Sequence, residues 1–484
     1  MKYCLPIIRS KSKEVLEIIL KNQQSYDYFE IWLDYIENLD LEFVKTLKEK
    51  FENKLIFLFR RQNLETPKMG LQKRLQIMDI LGDSDCLVDL DISQQKELHY
   101  IKSKRINLIF SYHNYKETPT KQNLELIMKQ MTKQKAYMYK ISTFCNKDDD
   151  ALTLIDLLTD LNGKQKWIVL GMGIKGTITR IAGAILGNEI NFTPLSHNQK
   201  SASGQLTKDE LEKILARIKI CYFIADPVEH SLSPKMHEAG YRALGIEKDF
   251  LFLKKRVKSK DLKRILEDMK TAPNFKGASI SIPHKTTIMK YLNEIDVVAK
   301  KIGAVNTVVK SGGKLKGYNT DYLGILNPLK QRINLRNKSG AIIGAGGAAR
   351  AAIFALVSQG VKVTIFNRDI KKAKKLAKEF NCQFNSLDNL AEISKFDIVI
   401  HATKVGLNPS DLPLIDKKLI RKNQIIFDLV YSKDYPQTKL IKQAKEKKSK
   451  TISGVEMLLY QGIAQFELFT KRSAPINEMR KALI

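Results

Sequence analysis

Two lysines and a histidine stand where side chains of their type do chemistry. Lys140 lies inside a β-rich run, Met138-Tyr-Lys140-Ile-Ser, pointing either into a barrel of strands or out at its helices. A desolvated lysine loses part of its preference for the charged form and becomes a nucleophile toward ketones, forming a Schiff base. His113, in Ser111-Tyr-His113-Asn one strand earlier, is suited to shuttle a proton there. A lysine reaching solvent from the strand end accounts for the position equally well. Lys285 follows Ser279-Ile-Ser281-Ile-Pro-His, and Asp321 follows Gly317-Tyr-Asn-Thr. Such a pair can meet across a cleft, hold each other's charge and pass a proton to a hydroxyl during hydride transfer. A surface salt bridge of little energetic value is the alternative.

A third constellation is Ser339-Gly-Ala-Ile-Ile-Gly-Ala-Gly-Gly-Ala-Ala-Arg350, a buried strand running into the G-x-G-x-x-A form of the dinucleotide fingerprint. Gly344 allows the tight turn, Gly346 lets the backbone approach a pyrophosphate, and Ala349 packs the helix against the strand. The N–H groups from Gly344 through Ala345, Gly347 and Ala348 then face the phosphates at a helix N-terminus. The next strand, Val361–Phe366, delivers Asn367-Arg368 where an NAD enzyme carries an acid for the ribose hydroxyl. Arg368 can fork onto a 2′-phosphate, with Lys371 or Lys372 adding charge, so the cofactor reads as NADP. Upstream, Ser231 and Ser233 project to one side of an extended segment before Pro234, either a carboxylate clamp or a helix cap.

Composition narrows the remaining possibilities. At 484 residues, two or three domains are expected, and 43% hydrophobic content is enough to pack them. No apolar run reaches the roughly 20 residues needed to span a bilayer, and Met1-Lys-Tyr-Cys-Leu-Pro-Ile-Ile reads as a first strand. Cys4, Cys86, Cys145, Cys221 and Cys382 are scattered without a CxxC pair, which fits a reduced cytoplasm and no metal site. The net charge of +30 comes from lysine spread over both halves without a nucleic-acid-binding signature, so its expected use is attraction of anionic small molecules. The oligomeric state is not legible.

Eight β-rich runs alternate with helical patterns over the first 200 or so residues: Cys4–Ile8, Tyr28–Leu33, Leu55–Phe59, Cys86–Asp91, Ile106–Ser111, Tyr137–Ile141, Trp167–Gly171 and Ile190–Thr193. That is the arithmetic of a (β/α)₈ barrel, whose working residues lie at the C-terminal ends of strands. Glu30, Asp34, Arg60, Arg61, Asp89, Asp91 and Arg180 crowd those ends.

The motifs quoted for this half resemble those of type I 3-dehydroquinate dehydratases, over residues 1 to 206. The resemblance places the general acid/base on His113 in Ser111-Tyr-His-Asn-Tyr-Lys-Glu-Thr-Pro119 and the imine on Lys140. It gives the carboxylate-holding arginine to Arg180, after Gly171-Met-Gly173. It assigns Ser201 and Gln205, in Ser201-Ala-Ser-Gly-Gln205, to a lid. Glu30 and Arg60 are implied substrate contacts. Two positions depart from the family. Trp32 stands in Glu30-Ile-Trp32-Leu-Asp34 where an arginine holds substrate hydroxyls, and Glu65, which would orient the histidine, is in register with Arg61 rather than Arg60.

Residues 220 to 484 resemble shikimate dehydrogenase over their full length. The resemblance implies that Ser231 and Ser233 bind a carboxylate, that Ser281, where the family commonly has threonine, contacts the substrate, that Asn306 holds ring hydroxyls, and that Lys285 and Asp321 are the catalytic pair. Gln461, in Gly454-Val-Glu-Met-Leu-Leu-Tyr-Gln461, is implied to touch substrate. Thr403, Tyr431 and Gly454 are expected on the cofactor, joining Asn367 and Arg368; Lys404 and Val405 replace the small polar pair often found after the Ala-Thr. The expected domains are the barrel at 1–214, a substrate-binding α/β domain at 215–325 with the terminal helix 458–484 packed back on it, and a Rossmann domain at 326–457. The expected activity is dehydration of 3-dehydroquinate followed by NADPH-dependent reduction to shikimate. The rivals are an NADP-dependent shikimate or quinate dehydrogenase with an impaired, structural barrel, supported by Trp32 and Glu65, and a basic nucleic-acid-binding protein on an enzyme scaffold.

Overall fold

The computed structural model describes residues 1–59, 68–161, 165–228, 231–431 and 437–483, and the chain divides into two units, Met1–Arg217 and Ile218–Ile484. In the first, strands form where apolar and β-branched residues alternate with inward-pointing side chains. They are β1 (Tyr3–Ile7), β2 (Tyr28–Trp32), β3 (Leu55–Leu58), β4 (Leu87–Asp91), β5 (Asn107–Asn114), β6 (Met138–Phe144), β7 (Trp167–Met172) and β8 (Asn191–Phe192). All pair in parallel and in sequence order, with β8 returning beside β1. One apolar cluster draws on every strand or its lead-in: Cys4, Tyr28, Ile56, Leu87, Ile109, Met138, Ile168, Ile190 and Phe192. Side chains from all eight strands can share a cluster only if the sheet curls on itself. The N–H of Glu189 donates to the Trp167 carbonyl at 3.1 Å, tying β7 to the approach of β8.

The helices start where the sequence supplies caps. Asp40 accepts the Glu42 N–H before the helix Leu41–Phe51, and Thr120 accepts the Asn123 N–H before Lys121–Met131. The strands β5 and β6 run on to Asn114 and Phe144, beyond the ends expected at Ser111 and Ile141. The cause is continued pairing, His113 opposite Ser142 and Asn114 opposite Thr143. His113 therefore stands inside a strand, on the same face as Ser111, and inherits the rigidity of the ladder.

The second unit holds two sheets. One is mixed, built from β9 (Lys219–Ala225), β10 (Phe250–Arg256), β11 (Phe275–Ile280), β12 (Glu294–Ile295), β13 (Thr307–Ser311) and β14 (Lys314–Tyr318), in the order β10-β9-β11-β13-β14-β12. The other is parallel throughout: β15 (Ser339–Ile343), β16 (Lys362–Asn367), β17 (Gln383–Ser386), β18 (Ile398–His401), β19 (Ile425–Asp428) and β20 (Lys450–Ile452). Its order, β17-β16-β15-β18-β19-β20, reverses direction between β15 and β18, and ligands of open α/β sheets bind at such a switch point. The helix Gly454–Thr470 sends Leu459, Phe466 and Phe469 into the core of the mixed sheet, against Met236, Tyr241 and Phe252. Among the described residues no helix is long and apolar enough to cross a membrane.

The turn after β15 needs glycine at two places for different reasons. Gly344 has φ +122°, and a Cβ there would lie 2.7 Å from the Ala402 carbonyl oxygen, whereas a Cβ on Gly346 would meet nothing within 4 Å. Gly344→Ala is expected to destabilise the second unit by about 1–3 kcal/mol, seen by calorimetry as a lowered midpoint. Gly346→Ala should leave that midpoint in place, because the space it fills is open.

Candidate active sites

In the first unit Lys140 points inward from β6 and is 5% exposed. Its Nζ lies 2.8 Å from Asp89 Oδ2 on β4 and 3.2 Å from Glu30 Oε1 on β2, over the ring of Phe192 at 4.4 Å. Each carboxylate is held from behind by a neutral donor. Ser111 Oγ donates to Asp89 Oδ1 at 2.5 Å, and the Trp32 indole N–H donates to Glu30 Oε2 at 3.1 Å. An ammonium removed from water is tolerated only with such company. Trp32 thus orients Glu30 instead of merely filling space.

His113 Nδ1 lies 2.9 Å from Asp91 Oδ2, which also accepts the histidine's own backbone N–H at 3.0 Å. Ser93 donates both its N–H and its hydroxyl to Asp91 Oδ1, at 3.0 and 2.8 Å. Burial pushes the Asp91 carboxyl upward, but the bonds from His113 and Ser93 outweigh it and hold the group below its ordinary 3.8. Because a carboxylate only accepts, the Nδ1 of His113 carries hydrogen and Nε2 is its basic face. The sequence flagged Asp89 and Asp91 as strand-end acids but gave neither a task.

Glu30, Trp32, His113, Tyr115, Lys140, Arg180, Ser201 and Gln205 line one cavity of about 380 Å³. Arg180, from the helix Thr177–Leu186, is 6% exposed. Burial pushes its guanidinium down to about 10. Its Nη2 makes a long hydrogen bond to the Gly171 carbonyl at 3.4 Å; its Nε is unpartnered, and among the described residues no carboxylate pairs with it. A buried cation without a counter-ion is a ready partner for an anionic ligand. Gln205 accepts the Ser201 N–H at 2.9 Å and donates to the Ser201 hydroxyl at 3.0 Å, so the two expected lid residues act as one closed loop. Arg60, Arg61 and Glu65 lie outside the described residues.

In the second unit Lys285 Nζ reaches Asp321 Oδ2 at 2.5 Å, with the lysine 14% and the aspartate 4% exposed at the side chain. Asn306 donates to Asp321 Oδ1 at 2.8 Å, to Thr320 Oγ1 at 2.9 Å and to Gln461 Oε1 at 3.3 Å. This joins the expected catalytic pair to the expected substrate residues Asn306 and Gln461. Gln465, unassigned from the sequence, bonds Ser279, the Asn306 carbonyl and Thr307 at 3.1, 3.2 and 2.9 Å and braces that cluster from behind. Ser231 Oγ accepts the Ser233 N–H at 3.2 Å, one residue before Pro234. The pair is therefore a turn at a helix start, and it leaves a half-buried hydroxyl on Ser231. Ser281, at the end of β11, is held by its backbone N–H on the Ile224 carbonyl at 2.9 Å.

The residues after β15 fit a dinucleotide. The open space over Gly346, at the N-terminus of the helix Gly347–Val357 with Ala345 and Ala348 beside it, is the cradle a pyrophosphate needs. Arg368 stands exposed after β16, and Asn367 is tied by its amide to the Asp369 carbonyl at 2.9 Å. Thr403 borders the same turn, its methyl 3.4 Å from where a Gly344 Cβ would be, and Gly454 abuts the Leu429 and Val430 carbonyls. A Cβ on Gly347 would lie 3.1 Å from Lys285 Cδ, so Lys285 and the dinucleotide turn share a wall. Tyr431, expected on the cofactor, packs against the core of the mixed sheet; burial pushes its phenol up to about 12, with Ser231 and Asp321 near it.

Residues 3–221 match the family model of type I 3-dehydroquinase. Residues 223–308 match the shikimate dehydrogenase substrate binding domain, 328–435 the shikimate/quinate 5-dehydrogenase model, and 454–484 the shikimate 5′-dehydrogenase C-terminal domain. The NADP(+) shikimate dehydrogenase of Carboxydothermus hydrogenoformans is 36% identical over 280 residues, 56% of this chain and 98% of that protein. The chloroplastic bifunctional 3-dehydroquinate dehydratase/shikimate dehydrogenase of Arabidopsis thaliana is 29% identical over 506 residues, 98% of this chain and 82% of that protein. A solved shikimate 5-dehydrogenase from Thermus thermophilus, in complex with NADP(H) and shikimate, is 33% identical and covers 55% of this chain and 98% of its own, with a TM-score of 0.51.

The lowered Asp91 carboxyl carries a pH signature. A carboxyl held below its unfolded value stabilises the fold above that value, and the contribution is lost as pH falls through the folded one. The stability gap between wild type and Asp91→Asn should be full at neutral pH and close as the pH drops below 3.8. Unfolding of the first unit, followed against pH for both proteins, checks it.

Proposed function

The chain belongs to the type I 3-dehydroquinases through its first unit and to the shikimate dehydrogenases through its second, and we infer that one carbon ring is worked on by both. The protein is a bifunctional 3-dehydroquinate dehydratase and NADP-dependent shikimate dehydrogenase. The assignment of roles to residues is our proposal, and the observation that carries it is Lys140, buried in one cavity with His113 and Arg180.

In the barrel, Arg180 holds the substrate carboxylate and Ser201 with Gln205 closes the mouth. Lys140 passes its proton to Glu30 or Asp89 and attacks the ring ketone; the carbonyl oxygen leaves as water and an imine forms. The Nε2 of His113 takes a proton from C2. The resulting enamine expels the C1 hydroxyl, to which His113 returns the proton, so a second water leaves. Hydrolysis of the imine frees 3-dehydroshikimate and Lys140. Asp91 keeps His113 in the tautomer this needs.

In the second unit, Ser231, Ser233, Ser281 and Tyr431 receive the carboxylate end of 3-dehydroshikimate, and Asn306 and Gln461 its hydroxyls. The Gly344–Ala348 turn, Asn367 and Arg368 hold NADP, with Thr403 and Gly454 beside it. Bound NADPH supplies the hydride. Lys285 gives a proton to the alkoxide as it forms, and Asp321 keeps that lysine charged until then. Five cysteines without a disulfide support a reducing cytoplasm as the setting.

The test is NADPH oxidation on addition of 3-dehydroquinate, with 3-dehydroshikimate in parallel. Lys140→Ala should abolish the first response and leave the second; borohydride with 3-dehydroquinate should then no longer label the protein. Asp321→Asn should slow both by about 10²–10⁴-fold while borohydride labelling persists. Unchanged oxidation of 3-dehydroquinate by Lys140→Ala would remove the barrel from the chemistry.

A further inference from the structure

Beside the dinucleotide turn lies a buried polar relay that the reaction above does not use. His401 ends β18 and Asp428 ends β19, opposite each other in register, and they are 3% and 1% exposed. His401 Nδ1 lies 2.9 Å from Asp428 Oδ1, and its Nε2 lies 2.7 Å from Thr403 Oγ1. Asp428 also accepts the Thr438 hydroxyl at 2.5 Å and the Val430 N–H at 3.1 Å. Thr403 Oγ1 accepts the Val405 N–H at 3.1 Å.

Hydrogen accounting decides what this relay shows to a ligand. Asp428 can only accept, so the hydrogen of a neutral imidazole sits on Nδ1. Nε2 is then an acceptor, and the Thr403 hydroxyl must give its hydrogen to it. With that hydrogen committed and one lone pair on Val405, Thr403 has only a lone pair left to offer. The sheet order says what meets it. Asn367 and Arg368 leave β16, on one side of β15, while Thr403 follows β18, on the other. A dinucleotide with its pyrophosphate over Gly346 and its 2′-phosphate toward Arg368 therefore sends its nicotinamide half toward Thr403.

We propose that His401 is a positioning residue that, with Asp428, makes Thr403 an acceptor-only group selecting the carboxamide N–H of the nicotinamide. This rests on the NADP reading of the turn. The carboxamide is the only N–H donor on that ring, so the relay discriminates by hydrogen-bond polarity rather than size.

The experiment compares NADPH with its reduced 3-acetylpyridine analogue, which has a carbonyl in that place but no N–H. Dissociation constants come from the fluorescence of bound dihydronicotinamide and from competition, at mildly alkaline pH. Wild type should prefer NADPH by about tenfold, the worth of one hydrogen bond. Thr403→Val should bring the ratio near one. His401→Phe frees the Thr403 hydroxyl to donate and should lower the ratio too, whereas His401→Gln, whose side-chain carbonyl reaches the Nε2 position and can still accept, should keep it. Should His401→Phe fail to fold, Thr403→Val and His401→Gln still decide. Equal binding by wild type, or an unchanged ratio in Thr403→Val, overturns the proposal while the NADP site stands. No NADPH binding by wild type would overturn the site itself and the proposal with it.

Discussion

A lysine ammonium taken out of water costs several kcal/mol unless carboxylates and hydrogen bonds offset it, and both units are laid out around that constraint. The solution is the same in each. A carboxylate gives one oxygen to the lysine and the other to a neutral donor that fixes its angle. Asp89 has Lys140 and Ser111, Glu30 has Lys140 and Trp32, and Asp321 has Lys285 and Asn306. A carboxylate anchored in this way stays in place when the lysine turns to a substrate. In the proposed barrel chemistry the carboxylate that takes the ammonium proton is then already in place, whereas in the second unit the same anchoring keeps Lys285 charged until it donates, so little reorganisation is left for either reaction.

The two scaffolds reach this arrangement by different routes. In the barrel the partners come from strands whose inward positions are set by a period of two, so β2, β4, β5 and β6 each contribute at a fixed height. In the second unit Lys285 follows a strand and Asp321 opens the helix Asp321–Lys330. The fixing falls to Asn306 and Gln465, which stitch loop, strand and the helix Gly454–Thr470 together. That helix leaves the cofactor sheet and packs into the core of the mixed sheet, so substrate and cofactor sites are braced by the same turns of chain.

Much of this was legible in the sequence because the signals were local. The eight β-rich runs and the glycine turn after β15 are each written within a few residues. Lys140 was flagged from its place inside a strand, but its direction stayed open. Direction depends on Glu30, 110 positions away in the chain, and no periodicity encodes that pairing. Asp91 was read as a strand-end acid without a role, since the residue orienting His113 was expected at Glu65. Tyr431 is expected on the cofactor, and its nearness to Ser231 and Asp321 comes from elements far apart in sequence. His401 carried no reading of its own, and only its register with Asp428 reveals the relay.

The departure at Trp32 can be weighed in the same terms. The indole donates one hydrogen bond to Glu30, so the pattern of a carboxylate held between lysine and neutral donor survives. What differs from a guanidinium is charge. A cation at this position would pull Glu30 away from Lys140 as a competing partner and would add to the positive field in the cavity. With an indole there, Glu30 is left to the lysine. Of the described residues lining the cavity, Lys140 and Arg180 are then its only permanent cations, and Arg180 is the one without a counter-ion. Among the described residues Arg180 is therefore the point toward which an anionic substrate is drawn, and in the proposed reaction it sets the ketone relative to Lys140. Trp32 changes the charge balance of the site and leaves its pairing intact.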